Sequence, residues 1–166
     1  MRMQPTCRFA PCLLTWTISK QVNDTGGHLA GDALLRGVAH TLSAQVRQAD
    51  SVARLGGDEF AVLLCGCPLP RAMVIAENMR VAVEAYRLHS EGSSFSVGAS
   101  IGLVAVYGSF KDAAAVLSAA DAACYAAKAR GRNSVAVFFE KEARKESAFS
   151  ITEQRTADVA LGQLGS

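Results

Sequence analysis

The sequence predicts an α+β fold, a sheet with helices packed on it. Three observations carry this: apolar patterns in the order β-α-β-β-α-β-α-β, long stretches with helical apolar spacing, and a Gly-Gly pair between two short strand-like runs. The chain has 166 residues, the length of one domain, and 50% of them are hydrophobic against 19% charged. A formal net charge of +2 excludes a nucleic-acid coat, so any anionic ligand must be held by local charges. The cysteines, Cys7, Cys12, Cys65, Cys67 and Cys124, are odd in number and lack C-x-x-C spacing. Neither a zinc cage nor a disulfide framework is indicated, and a cytoplasmic setting fits best. No apolar run approaches the roughly 20 residues of a membrane span. The N-terminus faintly resembles a signal peptide, but Pro5, Arg8 and Pro11 interrupt its apolar stretch.

Leu13 to Ser19 is β-branched and apolar and reads as the first strand, followed by a Gly-rich turn through Asn23, Asp24, Gly26 and Gly27. A helix is expected from near Leu29 to about Arg47–Asp50, with Leu34, Leu35, Val38, Leu42 and Val46 at helical spacing. Ser51 to Leu55 and Phe60 to Leu64 then form a hairpin around Gly56-Gly57. Arg71 to Leu88 is a second amphipathic helix, and Phe95 to Tyr107 a long strand. Ala113 to Arg130 is a third helix that stops at Gly131, and Ser134 to Phe139 a last strand. From Glu140 the pattern turns polar and charged, a linker or tail. The expected division is residues 1–13 as a divergent head, 14–139 as the domain and 140–166 as the tail.

Gly56-Gly57 lets the main chain take positive φ and opens it to close approach by a ligand. Asp58 and Glu59 follow, two carboxylates suited to a hard cation such as Mg2+ (or Mn2+), although an ordinary acidic hairpin reads the same way. Asn23 and Asp32 can satisfy donors and acceptors of a purine, or can serve as a turn residue and a residue of the helix's first turn. Lys128 and Arg132 are four apart near a helix end and can meet a phosphate or offset the helix dipole. Arg47 and Asp50 can grip a phosphate or guanine edge, or be a solvated surface pair.

The wider pattern is more specific. Asn23-Asp24-x-x-Gly27-His28-x-x-Gly31-Asp32, Arg47-x-x-Asp50, Arg54-Leu-Gly-Gly-Asp-Glu-Phe60, Ser100-Ile-Gly102, Ala120-Asp121, Tyr125-x-x-Lys128 and Gly131-Arg132-Asn133 follow one another in the order and spacing of GGDEF domains. Over about residues 20–139 the chain resembles the diguanylate cyclase family, bacterial signalling enzymes that join two GTP into cyclic di-GMP and release pyrophosphate. The resemblance implies a single domain with a central, mostly antiparallel sheet flanked by helices, related to the nucleotidyl cyclase/polymerase palm of ferredoxin-like architecture. It also implies Asp58 and Glu59 as catalytic and metal-binding groups, Asn23 and Asp32 at the guanine, and Lys20, Lys128 and Arg132 at the phosphates. Arg47 and Asp50 would form the inhibitory site for cyclic di-GMP, and His28 would be structural. The family's partners are a second copy of the domain, and sensory or phosphodiesterase domains elsewhere in longer relatives.

One departure stands out. The family's first strand reads Asp-x-Asp-x-Phe-Lys, its first aspartate a metal ligand, whereas counting back from Asn23 places Thr15 and Thr17 at both aspartates. A neutral hydroxyl is a weaker magnesium ligand than a carboxylate. DNA able to encode Leu14 to Lys20 spells Leu-Asp-Leu-Asp-His-Phe-Lys when shifted by one base, so a frameshift near Lys20 would explain the loss. Two readings compete with an active cyclase: an impaired module that still binds GTP or cyclic di-GMP as a receptor, and a gene fragment.

Overall fold

The computed structural model describes residues 12–18, 21–90, 92–106 and 110–139, and for 12–28 the backbone alone. Its elements are β1 (Cys12–Ile18), α1 (Gln21–Ser43), β2 (Ser51–Gly56), β3 (Glu59–Leu64), α2 (Leu69–Ala85), β4 (Leu88–Ser90), β5 (Ser93–Phe95), β6 (Ala99–Ala105), α3 (Ala113–Ala129) and β7 (Val135–Phe138). Five strands form one sheet in the order β2-β3-β1-β6-β7, and β4-β5 is a separate hairpin. The β2–β3, β3–β1 and β1–β6 pairings are antiparallel and β6–β7 is parallel. This is the α+β, mostly antiparallel architecture that the sequence predicts.

The periodicities explain which face each element covers. Phe60, Val62 and Leu64 alternate along β3 and pack with Ile101 and Leu103 of β6. Leu34, Val38 and Leu42 of α1 and Ala72, Ala76, Met79 and Val83 of α2 close the same cluster, each at helical spacing. On the other face, Val104 meets Val116, Ala119 and Ala120 of α3. All seven residues of β6 are buried, as expected of a strand covered on both faces. Asp112 caps α3, its carboxylate accepting the Ala115 N–H at 2.8 Å.

Several element boundaries differ from the sequence reading. α1 begins at Gln21, so the Asn23–Gly27 segment expected as a turn is helical, and the helix ends at Ser43 rather than near Arg47–Asp50. Once the buried stripe has nucleated a helix, each added residue gains a hydrogen bond, which carries α1 back through turn-forming residues. The stretch expected as one strand from Phe95 is broken: β6 starts at Ala99, and Ser93–Phe95 pairs instead with Leu88–Ser90. The second helix runs from Leu69 to Ala85. The expected head before residue 12 and the tail from residue 140 lie outside the described residues. Among the described residues, no helix is long and apolar enough to cross a membrane.

Candidate functional site

The strand pairings bring several of the expected residues to one end of the sheet. Thr17 stands opposite Glu59 on one side and Ser100 on the other, and Ile18 stands opposite Ala99. The C-terminal end of β1, the β2–β3 tip and the N-terminal end of β6 therefore meet. β7 runs parallel to β6, with Val135 beside Ile101, so the segment from Lys128 through Arg132 arrives at that same end. α1 also starts there, three residues after β1 stops.

At the hairpin tip, Gly57 adopts φ 51°, and the register slips between Arg54 and Gly56. Arg54 folds its guanidinium over the turn, donating from Nε and Nη2 to the Gly57 carbonyl at 2.9 and 2.7 Å. The turn is thus fastened from its own strand, a role for Arg54 that the motif alone did not disclose. Asp58 is half-buried and Glu59 exposed, and among the described residues no ion pair engages either. No group of three or more His, Cys, Asp or Glu among the described residues could cage a metal. Magnesium usually keeps several waters and takes one or two carboxylates together with substrate phosphates, and Asp58 and Glu59 fit that donor set. The residue in the third place, Thr15, lies within β1, opposite Ala61 and Gly102.

Lys128 is half-buried in the last turn of α3, and Arg132 is exposed just beyond it. The chain there passes through three consecutive positive φ values, 110° at Gly131, 64° at Arg132 and 43° at Asn133. The Arg132 N–H donates to the carbonyls of Ala127 and Lys128, each at 3.2 Å, which satisfies the end of the helix. Lys20 lies outside the described residues. Asn23 and Asp32 share α1 but stand nine residues apart, about 13 Å along the axis at 1.5 Å per residue. Asp32 is exposed in mid-helix, not in the first turn.

Arg47 and Asp50 occupy the other end of β2, before Ser51. At about 3.3 Å per residue that is roughly 15–20 Å from the Gly57 turn. Asp50 is all but buried, with its side chain 1% exposed, while the Arg47 side chain is 56% exposed. The Asp50 carboxylate accepts the Arg47 N–H at 2.9 Å, the Cys65 N–H at 3.0 Å and the Arg47 guanidinium at 3.2 and 3.3 Å. Arg47 Nη2 also donates to the Cys65 carbonyl at 3.1 Å. Asp50 therefore ties the α1–β2 loop to the end of β3 and orients Arg47, leaving most of the guanidinium open. Burial pushes the Asp50 carboxyl up, but the guanidinium and the two N–H groups outweigh it and hold it below its ordinary value.

Two consequences of that geometry are measurable. Asp50→Ala should cost about 2 kcal/mol in a urea titration, since it strands the Arg47 and Cys65 N–H groups. Because the folded carboxyl titrates lower than the unfolded one, its contribution is complete above the ordinary carboxylate range and fades only as pH falls through the depressed value. The difference in stability between parent and Asp50→Asn should accordingly shrink below about pH 4.

With this arrangement established, similarity to known proteins is decisive. The family description "Diguanylate cyclase, GGDEF domain" matches residues 9–134. The chain belongs to the GGDEF family. Among its relatives is the probable diguanylate cyclase DgcE of Escherichia coli K12, 44% identical over 138 residues, which are 81% of this chain and 12% of that protein. The GGDEF domain of TpbB (YfiN) from Pseudomonas aeruginosa superposes with a TM-score of 0.72 at 36% identity, covering 81% of this chain and 85% of that one. The coiled coil and GGDEF domain of DgcB from Caulobacter crescentus, solved in complex with c-di-GMP, gives 0.72 at 29% identity over 78% of this chain and 70% of that one. The chain spans from 12% to 31% of the length of the first curated relatives that it matches. Its GGDEF signature is Gly56 to Phe60, the segment Arg54 fastens, and the family is one of nucleotidyltransferases.

Proposed function

We propose that this GGDEF domain takes up GTP at the end of the sheet where the hairpin tip, the start of β6 and the end of α3 meet, and condenses two GTP into cyclic di-GMP. The carrying observation is that convergence: Asp58 and Glu59, in no ion pair among the described residues, from one side, Lys128 and Arg132 from the other. Lys128 and Arg132 supply charge-assisted hydrogen bonds to the triphosphate. Asp58 and Glu59 would hold magnesium, which when bound neutralises phosphate charge. The open turn at Gly57 lets phosphates approach the main chain. Asn23 and Asp32 would grip the guanine edge once the first turns of α1 unwind, and Gly26 and Gly27 ease that, each costing a helix about 1 kcal/mol relative to alanine. One domain holds one GTP, so two copies face each other, the 3′-hydroxyl of one nucleotide displacing pyrophosphate from the α-phosphate of the other. The outward Arg47 guanidinium would bind the product and restrain synthesis.

A second reading has its own support. Thr15 leaves the cation one carboxylate short, which favours a domain that binds GTP or cyclic di-GMP with little turnover. Incubation with GTP and magnesium, with product and bound nucleotide both measured, separates the two. Lys128→Ala and Arg132→Ala should each weaken GTP binding about tenfold or more, as loss of a charge-assisted bond does. Unchanged affinity in both variants would refute the phosphate assignment. Cyclic di-GMP should bind the parent and not Arg47→Ala.

A further inference from the structure

The turn after α3 is unusual in placing two non-glycine residues in succession at positive φ, 64° at Arg132 and 43° at Asn133. Such a backbone is uphill for L-residues and persists only where neighbours over-determine it. One set of contacts does so. The Asn133 side chain accepts the Ala99 N–H through Oδ1 at 3.3 Å and donates through Nδ2 to Glu84 Oε1 at 2.8 Å. Ala99 opens β6 and Glu84 lies in the last turn of α2, so one carboxamide joins three elements. Gly98 leaves room for it: a Cβ there would stand 3.2 Å from the Asn133 side chain.

Glu84 is itself held. Its Oε2 accepts from Arg80 Nη1 at 2.7 Å, and Arg80 Nη2 donates to Glu77 Oε1 at 2.8 Å, both along α2. The Arg80 side chain is mostly covered, at 15% exposure, so this row of charges is less freely hydrated than an ordinary surface pair. The Arg80 guanidinium, then the Asn133 carboxamide, lower the Glu84 carboxyl and keep it an acceptor.

We propose that Asn133, bridged between Glu84 and the Ala99 amide, is a positioning residue that fixes the left-handed turn and so sets the Arg132 guanidinium for a nucleotide triphosphate. The proposal rests on the GTP reading above for its ligand but not for its mechanics. Arg132 stands one residue from the bridge, and its own N–H closes the end of α3. With the bridge cut, the two residues can relax to negative φ, which swings the guanidinium away and frees that N–H.

The test uses Asn133→Gly, which accepts positive φ without strain but cannot bridge, Glu84→Ala, which removes the far anchor, and Glu84→Gln, which keeps the oxygen acceptor. Amide hydrogen exchange at Gly131 and Arg132, measured without nucleotide, should speed up about tenfold in Asn133→Gly and Glu84→Ala, the weight of one net hydrogen bond, and stay near parental in Glu84→Gln. Binding of magnesium GTP should weaken about tenfold in the same two variants while guanosine, which lacks phosphates, binds as to the parent. Unchanged exchange at Arg132 in both variants would overturn the bridge. Faster exchange with unchanged GTP affinity, or equal losses for GTP and guanosine, would overturn its positioning role. GTP binding by the parent chain tests the functional reading separately, because the exchange measurement needs no nucleotide.

Discussion

Thr15→Asp combined with Thr17→Asp is expected to raise cyclic di-GMP formation from magnesium GTP by about a hundredfold or more, the range in which single preorganised electrostatic groups act at transition states. The register supports the size of the effect. Thr15 lies inside β1, paired on both sides to Ala61 and Gly102, two residues before Thr17, which stands opposite Glu59 at the end of the sheet that holds the hairpin tip. A carboxylate carried there rides on a central strand, not on a loop, and adds a formal charge to a set that now has two. The same exchange should lower stability slightly. Aspartate is a poorer strand former than threonine, and Thr17→Asp sets a like charge directly opposite Glu59. A variant that gains product while its urea midpoint falls by a few tenths of a molar cannot owe the gain to better folding. Adding Asp58→Asn to the repaired chain should remove the gain and blunt its magnesium dependence. If the repaired chain binds GTP and still makes no product, the receptor reading replaces the cyclase reading.

The Gly56 to Phe60 signature was legible because a glycine pair followed by two carboxylates at a hairpin tip is a pattern that family membership bears out. Helix faces were legible as well, since the Leu34, Val38, Leu42 stripe follows one period. What escaped reading depends on contacts far apart in sequence. Asn133 and Glu84 are 49 residues apart, and nothing in either segment announces the bridge. For Asp50 the sequence offered a product-binding or a surface role, and neither discloses that its side chain is covered and bonded to Cys65, 15 residues on. The β4–β5 hairpin was missed because its two strands are only three residues each, too short for a period-2 pattern. The start of α1 is hidden in the sequence because Asn23 to Gly27 are turn-forming residues by type and are helical only as an extension of the helix that follows them.

Gly102→Ala should be among the most damaging single substitutions, and the reason lies in the closeness of α3 to the sheet. A Cβ at position 102 would sit 2.2 Å from the Ala120 carbonyl oxygen and 2.4 Å from the Cys124 nitrogen. Both are backbone atoms in mid-helix, so no side chain can swing aside. The face of α3 turned to the sheet is Val116, Ala119, Ala120, Ala123, Cys124 and Ala127, nearly all small, which is what lets the helix approach this closely. The Cys124 thiol donates to the Ser100 carbonyl at 3.2 Å, tying the helix to β6 beside Gly102. An added methyl must therefore push the whole helix outward, at a cost of about 2–3 kcal/mol, or roughly 5–10 °C in Tm. Gly92→Ala is the control: that glycine has φ 78° but open space around it, so it carries backbone strain alone and should lose only about 1 kcal/mol. The displacement also reaches the proposed site, because Lys128 and Arg132 are carried at the end of the helix that moves. Gly102→Ala should thus weaken GTP binding at temperatures where it is still folded, whereas Gly92→Ala should not. Equal stability losses in the two variants would show that α3 yields easily and that Gly102 does not set the helix's distance from β6.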